Sequence, residues 1–207
     1  MKFYLDEDFL VKFCHDSCAI EGNTLTLAEC TLLLKDEITP NAKKLREIFE
    51  PFNMKKAFEY ILKKLPSKLD ENILKDIHQI LMENIEQGGI YRSENVKITG
   101  SEWVPPIPTV MYEQLKLFWE DLNSKRFHDS IEKAAFTHAE FVKIHPFRDG
   151  NGRTARMIMN YQLLLDGCEP VNIKFKDRLE YYKALEDYNF NGNLESLYKL
   201  IKSQYHQ

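Results

Sequence analysis

Apolar side chains recur along most of this chain at spacings of three and four residues, the period of a helix with one buried face. Phe9, Leu10, Phe13, Cys14 and Ser17 share a face in a segment that starts near Asp6 or Asp8 and stops at Gly22. Thr26-Leu27-Ala28-Glu29 is a capping-box pattern, opening a second short helix through Leu34 that ends before Pro40. Residues 41–64 read as helical with a break at Pro51, because proline lacks the N–H that a helix interior needs. Ile73, Leu74, Ile77, Ile80, Leu81 and Ile85 stripe a further helix.

Gly88-Gly89 ends this regime. Val96 and Ile98 alternate with Asn95, Lys97 and Thr99, the period of a strand, then Gly100-Ser101 turns the chain and Pro105, Pro106 and Pro108 stop any helix. The pattern predicts a small exposed β-hairpin. Helical spacing resumes over 109–122 and again over 130–144, where Ala134, Ala135, His138, Phe141 and Val142 build one face. From Asn151 onward, Met157, Ile158, Tyr161, Leu164 and Leu165 continue a buried helix that Asp166-Gly167 closes, and helices over 177–190 and 194–203 follow. No internal repeat, low-complexity tract or long linker interrupts them, so the expected fold is all-α, mainly helical, with one small β-hairpin.

Length and composition narrow the class. The 207 residues suffice for one sizeable core, and 43% hydrophobic with 29% charged residues is ordinary for a globular protein. A net charge of −4 lacks the basic excess that direct nucleic-acid binding requires. Cys14, Cys18, Cys30 and Cys168 are irregularly spaced, and on a helix His15 points away from the face shared by Cys14 and Cys18, so reduced structural thiols are expected rather than a metal set. The N-terminus has no long apolar stretch, and nowhere do about 18 apolar residues run uninterrupted. A soluble cytoplasmic protein with no membrane association is the expectation.

Residues 145–156 read His-Pro-Phe-Arg-Asp-Gly-Asn-Gly-Arg-Thr-Ala-Arg. Two glycines leave backbone N–H groups uncovered, and a helix starting there directs its positive end at the same spot, which suits a phosphate. The arginines can neutralise phosphate oxygens, Asp149 can hold a divalent metal, and His145 can take a proton from a nucleophile. Phe147 reads as a buried anchor and Arg148 as a solvated charge. A dinucleotide fingerprint is a competing description, since Gly150, Gly152 and Ala155 satisfy G-x-G-x-x-A and Glu169 lies downstream. That fingerprint must follow a strand, whereas the preceding residues read as a helix, and no phosphate-loop lysine pattern occurs.

The run resembles the signature of the Fic family, H-x-F-x-[D/E]-G-N-G-R-x-x-R, at every fixed position. The resemblance implies transfer of AMP from ATP, with Mg2+, onto a hydroxyl side chain of a protein target, with His145 activating the hydroxyl. It implies phosphate contacts from Asp149, Gly150, Asn151, Gly152, Arg153, Thr154 and Arg156, with Asp149 on the metal. Val96, Lys97, Ile98, Thr99 and Gly100 fall where the family's target-docking flap belongs, about 90–106. Tyr181-Tyr182-x-x-Leu185-Glu186-x-x-Asn189 resembles the segment that closes over the nucleoside, with Tyr182 and Asn189 as contacts and Leu185 in the core.

Ser17-Cys-Ala-Ile-Glu21-Gly22 is similar to the family's inhibitory motif, [S/T]-x-x-x-E-[G/N], which implies an N-terminal inhibitory helix at about 6–22 whose Glu21 pairs with Arg156. The chain then reads as one Fic domain over 1–207. Rival readings on the same fold are AMP removal with Glu21 orienting water, transfer of another phosphate-containing group such as UMP or phosphocholine, and a non-catalytic nucleotide-sensing or protein-binding module. Self-modification, homo-oligomerisation and target identity stay open at this level.

Overall fold

The structure, a computed structural model, describes residues 6–123 and 127–206. Helix α1 (Glu7–Ile20) begins where the Asp6 side chain accepts the Asp8 N–H, and buries Leu10, Phe13, Cys14, Ser17 and Cys18 on one face. Helix α2 (Leu27–Lys35) opens on the capping box read from sequence, with Thr26 and Glu29 each accepting the other's N–H.

Helix α3 (Leu45–Lys64) runs straight through Pro51, and the expected break does not occur. The carbonyl that Pro51 cannot serve belongs to Glu47, and the Asn23 side-chain amide donates to it at 3.0 Å. A donor from another part of the chain thus replaces the missing helical one, while burial of Met54, Ala57, Phe58 and Ile61 holds the helix in place.

Helix α4 (Glu71–Leu81) is capped by Asp70, whose carboxylate accepts the Ile73 N–H. Among the described residues no strand follows it, nor occurs anywhere else, so the expected β-hairpin is corrected to an irregular segment between α4 and α5. Alternation alone cannot make a hairpin. Pro105 and Pro106 on the returning arm carry no N–H for a ladder, and a turn bond from Ser101 N–H to the Ile98 carbonyl, 3.2 Å, joins the two arms instead.

Helices α5 (Pro108–Leu122), α6 (Ser130–Ile144), α7 (Asn151–Leu165), α8 (Arg178–Asn191) and α9 (Glu195–Ser203) complete the architecture. Pro108 occupies the first position of α5, where a missing N–H costs nothing, and Asp129 caps α6 by accepting the Glu132 N–H. The α6–α7 pair is the centre: α5, α8 and α9 pack on α6, while α1, α3 and α4 pack on α7.

Residues 153–164 of α7 are all buried, including Arg153, Arg156, Asn160 and Gln162. Such polar groups need partners. Asn160 finds them by exchanging both hydrogen bonds with the backbone of Val171, tying the chain after α7 back onto the helix. The signature turn therefore sits in the joint between the two central helices, where neighbouring elements restrain it from several sides. No helix among the described residues is long and apolar enough to cross a membrane.

Candidate functional site

Helix α6 ends at His145, whose backbone is left-handed at φ 52°, ψ 59°, and Pro146 then prevents the helix from continuing. A non-glycine residue in that region is uncommon and needs support from its surroundings. The His145 ring gives Nδ1–H to the Val142 carbonyl at 3.2 Å; because a carbonyl only accepts, Nε2 is left with its lone pair. Burial pushes the imidazole pKa down to about 4, with the Arg92 charge adding to the effect, so the ring is neutral at physiological pH.

Phe147 is fully buried and stacks on His78 at 3.6 Å between ring centres. His78 accepts the Gly89 N–H at Nδ1, so Nε2 carries the proton and donates to the Asp149 carbonyl at 2.9 Å. Asn151 uses both ends of its amide on the Phe147 backbone, at 2.8 and 2.9 Å, and Thr154 Oγ1 donates to the Gly150 carbonyl. Asn151 and Thr154 are thereby committed to the shape of the turn. Gly150 has φ 73°, and a Cβ there would lie 2.8 Å from Met82 Sδ, so no other residue fits without displacement.

The two signature arginines diverge. Arg153 points toward α3, with Nη1 3.3 Å from Glu50 and Nη2 3.9 Å from Asp149; its Nε and Nη1 hydrogens have no hydrogen-bond acceptor although the side chain is 1% exposed. Arg156 points toward α1. Its Nε donates to Ser17 Oγ at 2.8 Å, Nη2 to the Ser17 carbonyl at 2.9 Å and to Glu21 Oε1 at 2.7 Å, and Nη1 to the Tyr181 hydroxyl at 3.1 Å.

The Asp149 carboxylate takes the Gly150 N–H on one oxygen and a short bond from Arg46 on the other. Burial acts to raise its pKa, but Arg46, Arg153 and the Gly150 N–H outweigh this and hold the group below the usual carboxylate range. Arg46 also pairs with Glu50 at 2.9 Å, and Glu50 accepts from Asn23, two residues beyond Glu21.

A cleft of about 200 Å3 gathers His145, Gly152, Glu21, Ile98, Thr99, Gly100, Tyr182 and Asn189 on its walls. Asp149, Arg153 and Arg156 stand outside that lining, as do Val96 and Lys97. Asn189 Oδ1 is buried without a hydrogen-bond partner, whereas the Tyr182 hydroxyl donates to the Ile20 carbonyl at 2.6 Å, at the end of α1.

Sequence reasoning missed Arg46, Glu50, His78 and Tyr181 as site residues. Tyr181 reads as core packing, yet its hydroxyl accepts from Arg156 and pairs with His138 Nε2 at 3.0 Å. His78 lies on the apolar stripe of α4 between Ile77 and Leu81, and a histidine on a buried face was its one signal. Arg46 and Glu50 show only an ordinary i,i+4 charge pair.

Residues 68–163, which include the turn joining α6 to α7, match the Fic/DOC family model and define the class: this stretch is a Fic/DOC domain. The chain is 34% identical to a Nematostella vectensis protein named Protein adenylyltransferase Fic, over 97% of this chain and 48% of that protein. With the Caenorhabditis elegans Protein adenylyltransferase fic-1 the identity is 31%, over 91% of this chain and 38% of the relative. The solved structure of C. elegans Fic-1, residues 134–508, superposes with a TM-score of 0.85 at 29% identity, covering 97% of this chain and 61% of that one. The chain thus spans about half, or less, of the length of these curated relatives.

Proposed function

We propose that this chain is an autoinhibited protein adenylyltransferase that moves AMP from ATP onto a hydroxyl of a protein target. The observation that carries the reading is His145: a neutral imidazole with Nε2 unprotonated, on the wall of a cleft that begins at a glycine-rich helix N-terminus. The target hydroxyl oxygen bonds to the α-phosphorus, its proton passes to His145 Nε2, and the bond from the α-phosphorus to the bridging oxygen breaks to release pyrophosphate. The backbone N–H groups of Asn151 and Gly152 cradle phosphate oxygens, Gly150 shapes the turn with its own N–H held by Asp149, and the Arg153 Nε and Nη1 hydrogens, which lack a hydrogen-bond acceptor, supply further donors. Asn151 and Thr154 contribute by holding the turn, and Tyr182 and Asn189 by bordering the nucleoside.

Asp149 fits Mg2+, since it is a partly exposed, ionised carboxylate beside a phosphate cradle, and this ion takes a carboxylate or two with phosphate oxygens and water. Bound there, the ion would neutralise phosphate charge during transfer. Glu21 and Ser17 occupy Arg156, which in the active state binds the γ phosphate, and Gly22 ends the inhibitory helix. The segment 94–106 presents the target, with Val96–Gly100 as its docking stretch. One domain over 1–207 and a cytoplasmic setting complete the proposal, the latter supported by four unpaired cysteines.

AMP removal is the second reading, favoured by Glu21 standing on the same cleft wall as His145, where a carboxylate can orient water. One experiment separates the two. Glu21→Gly protein incubated with labelled ATP in lysate is expected to label protein, and Glu21→Gly/His145→Ala is not. If Glu21→Gly labels nothing yet loses the ability to strip AMP from a modified protein, removal is the reaction.

A further inference from the structure

Arg92 is 3% exposed and lies outside the signature, yet all three of its guanidinium nitrogens donate to main-chain carbonyls around the cleft. Nε reaches the His145 carbonyl at 2.8 Å, Nη1 the Glu94 carbonyl at 2.8 Å, and Nη2 the Pro106 carbonyl. The Arg92 backbone N–H adds a 2.9 Å bond to the Pro146 carbonyl. Glu94 and Pro106 bracket the stretch of the irregular segment that carries Ile98–Ser101 to the cleft wall. A single cation therefore ties both ends of that stretch to the left-handed backbone of His145.

That arrangement has a mechanical consequence. Without a strand ladder, the segment's outside anchors include Arg92 and the Trp103 indole, whose N–H donates to the Lys143 carbonyl at 3.0 Å. The His145 carbonyl direction, and with it the ring's approach to the cleft, is set partly by the Arg92 bond. Lysine cannot reproduce this clamp, because three diverging carbonyls match a planar fork and not one ammonium.

We propose that Arg92 is a positioning residue for transfer, holding the target-presenting segment and the His145 backbone in one fixed geometry without touching the nucleotide. The inference rests on the transferase reading. It assigns Arg92 to target alignment, so loss of the clamp should separate the two substrates: nucleotide binding survives while the hydroxyl is delivered off line to Nε2.

The test compares Arg92→Lys and Arg92→Met with their Glu21→Gly parent, using a non-hydrolysable ATP analogue for affinity, labelled ATP with lysate protein for transfer, and amide exchange over 94–106. Expected are analogue affinity within about twofold, initial labelling rates down about tenfold or more at saturating ATP, and faster exchange across 94–106. Labelling at the parent's rate overturns the proposal, as does a fall in labelling matched by an equal fall in analogue affinity, which marks a purely structural role. If Arg92→Met does not fold, Arg92→Lys, which keeps the charge and most of the volume, decides. If the parent itself labels nothing, the transferase reading fails, and unchanged exchange over 94–106 in Arg92→Lys still overturns the clamp.

Discussion

Glu21 Oε1 accepts a 2.7 Å hydrogen bond from Arg156 Nη2, joining the end of α1 to the central helix across 135 residues of sequence. Arg156 has three further acceptors, two of them on Ser17, so four bonds fix one buried guanidinium. Glu21 is about a third exposed, and screening limits the pair to about 1 kcal/mol or less of stability. Glu21→Gly should thus melt close to wild type while transfer rises by about tenfold or more. Adding Arg156→Ala should cancel the gain, since the released arginine is itself required. A double variant as active as Glu21→Gly would remove Arg156 from the mechanism.

Gly152→Ala offers an independent handle on the same contact. A Cβ at Gly152 would stand 2.2 Å from Glu21 Oε1 and 3.3 Å from Arg156 Nη1. The side chain able to yield is Glu21, at the flexible end of its own chain. In the wild-type background the substitution should raise transfer; in Glu21→Gly it should lower transfer, because the added methyl then intrudes on the phosphate cradle. The same sign in both backgrounds would contradict this geometry.

Asp149 and Arg148 are neighbours with different surroundings. Arg148 is 72% exposed and pairs loosely with Glu86 and Glu94 at 3.4 and 3.6 Å, whereas Asp149 is ionised between Arg46, Arg153 and the Gly150 N–H. Asp149→Ala should abolish the Mg2+ dependence of nucleotide binding measured by calorimetry. Arg148→Ala should change it by less than about twofold. Equal damage from both would show that the exposed charge also serves the site.

Acid should destabilise the fold over a defined window. Burial lowers the pKa of His78 and His145 to about 4 and that of His138 to about 3, against 6.5 for an unburied imidazole. Between about 6.5 and 4 the unfolded chain binds more protons than the folded one, so stability is complete above this range and falls as pH drops through it. His78 and His138 each contribute up to about 1.4 kcal/mol per pH unit. Melting temperature should decline from pH 7 to pH 5, and His138→Gln should show a shallower decline; an unchanged slope would contradict a buried neutral His138. Transfer, in turn, should keep its His145-dependent acid limb well below pH 6.5.

Much of the helical layout was legible because it depends on local periodicity and capping. The stripe of Ile73, Leu74, Ile77 and Leu81 and the Thr26–Glu29 box each contain their own signal within a few residues. The two failures were non-local. Pro51 broke nothing because Asn23 supplies the missing donor from outside the helix, and the Val96–Thr99 alternation formed no strand because the returning arm holds two prolines.

By itself the sequence determined the helices, the complete signature over 145–156 and the motif Ser17-x-x-x-Glu21-Gly22, all of which are patterns of residue type at short spacing. Only the tertiary structure decided that Arg153 and Arg156, three residues apart on one helix, diverge to Glu50 and Glu21, and that Asn151 serves the turn through both ends of its amide. It also brought in Arg46, His78, Arg92 and Tyr181. The reason is physical: a buried charge or amide takes whichever partner the packed helices bring within about 3 Å, and that partner can lie anywhere in the chain.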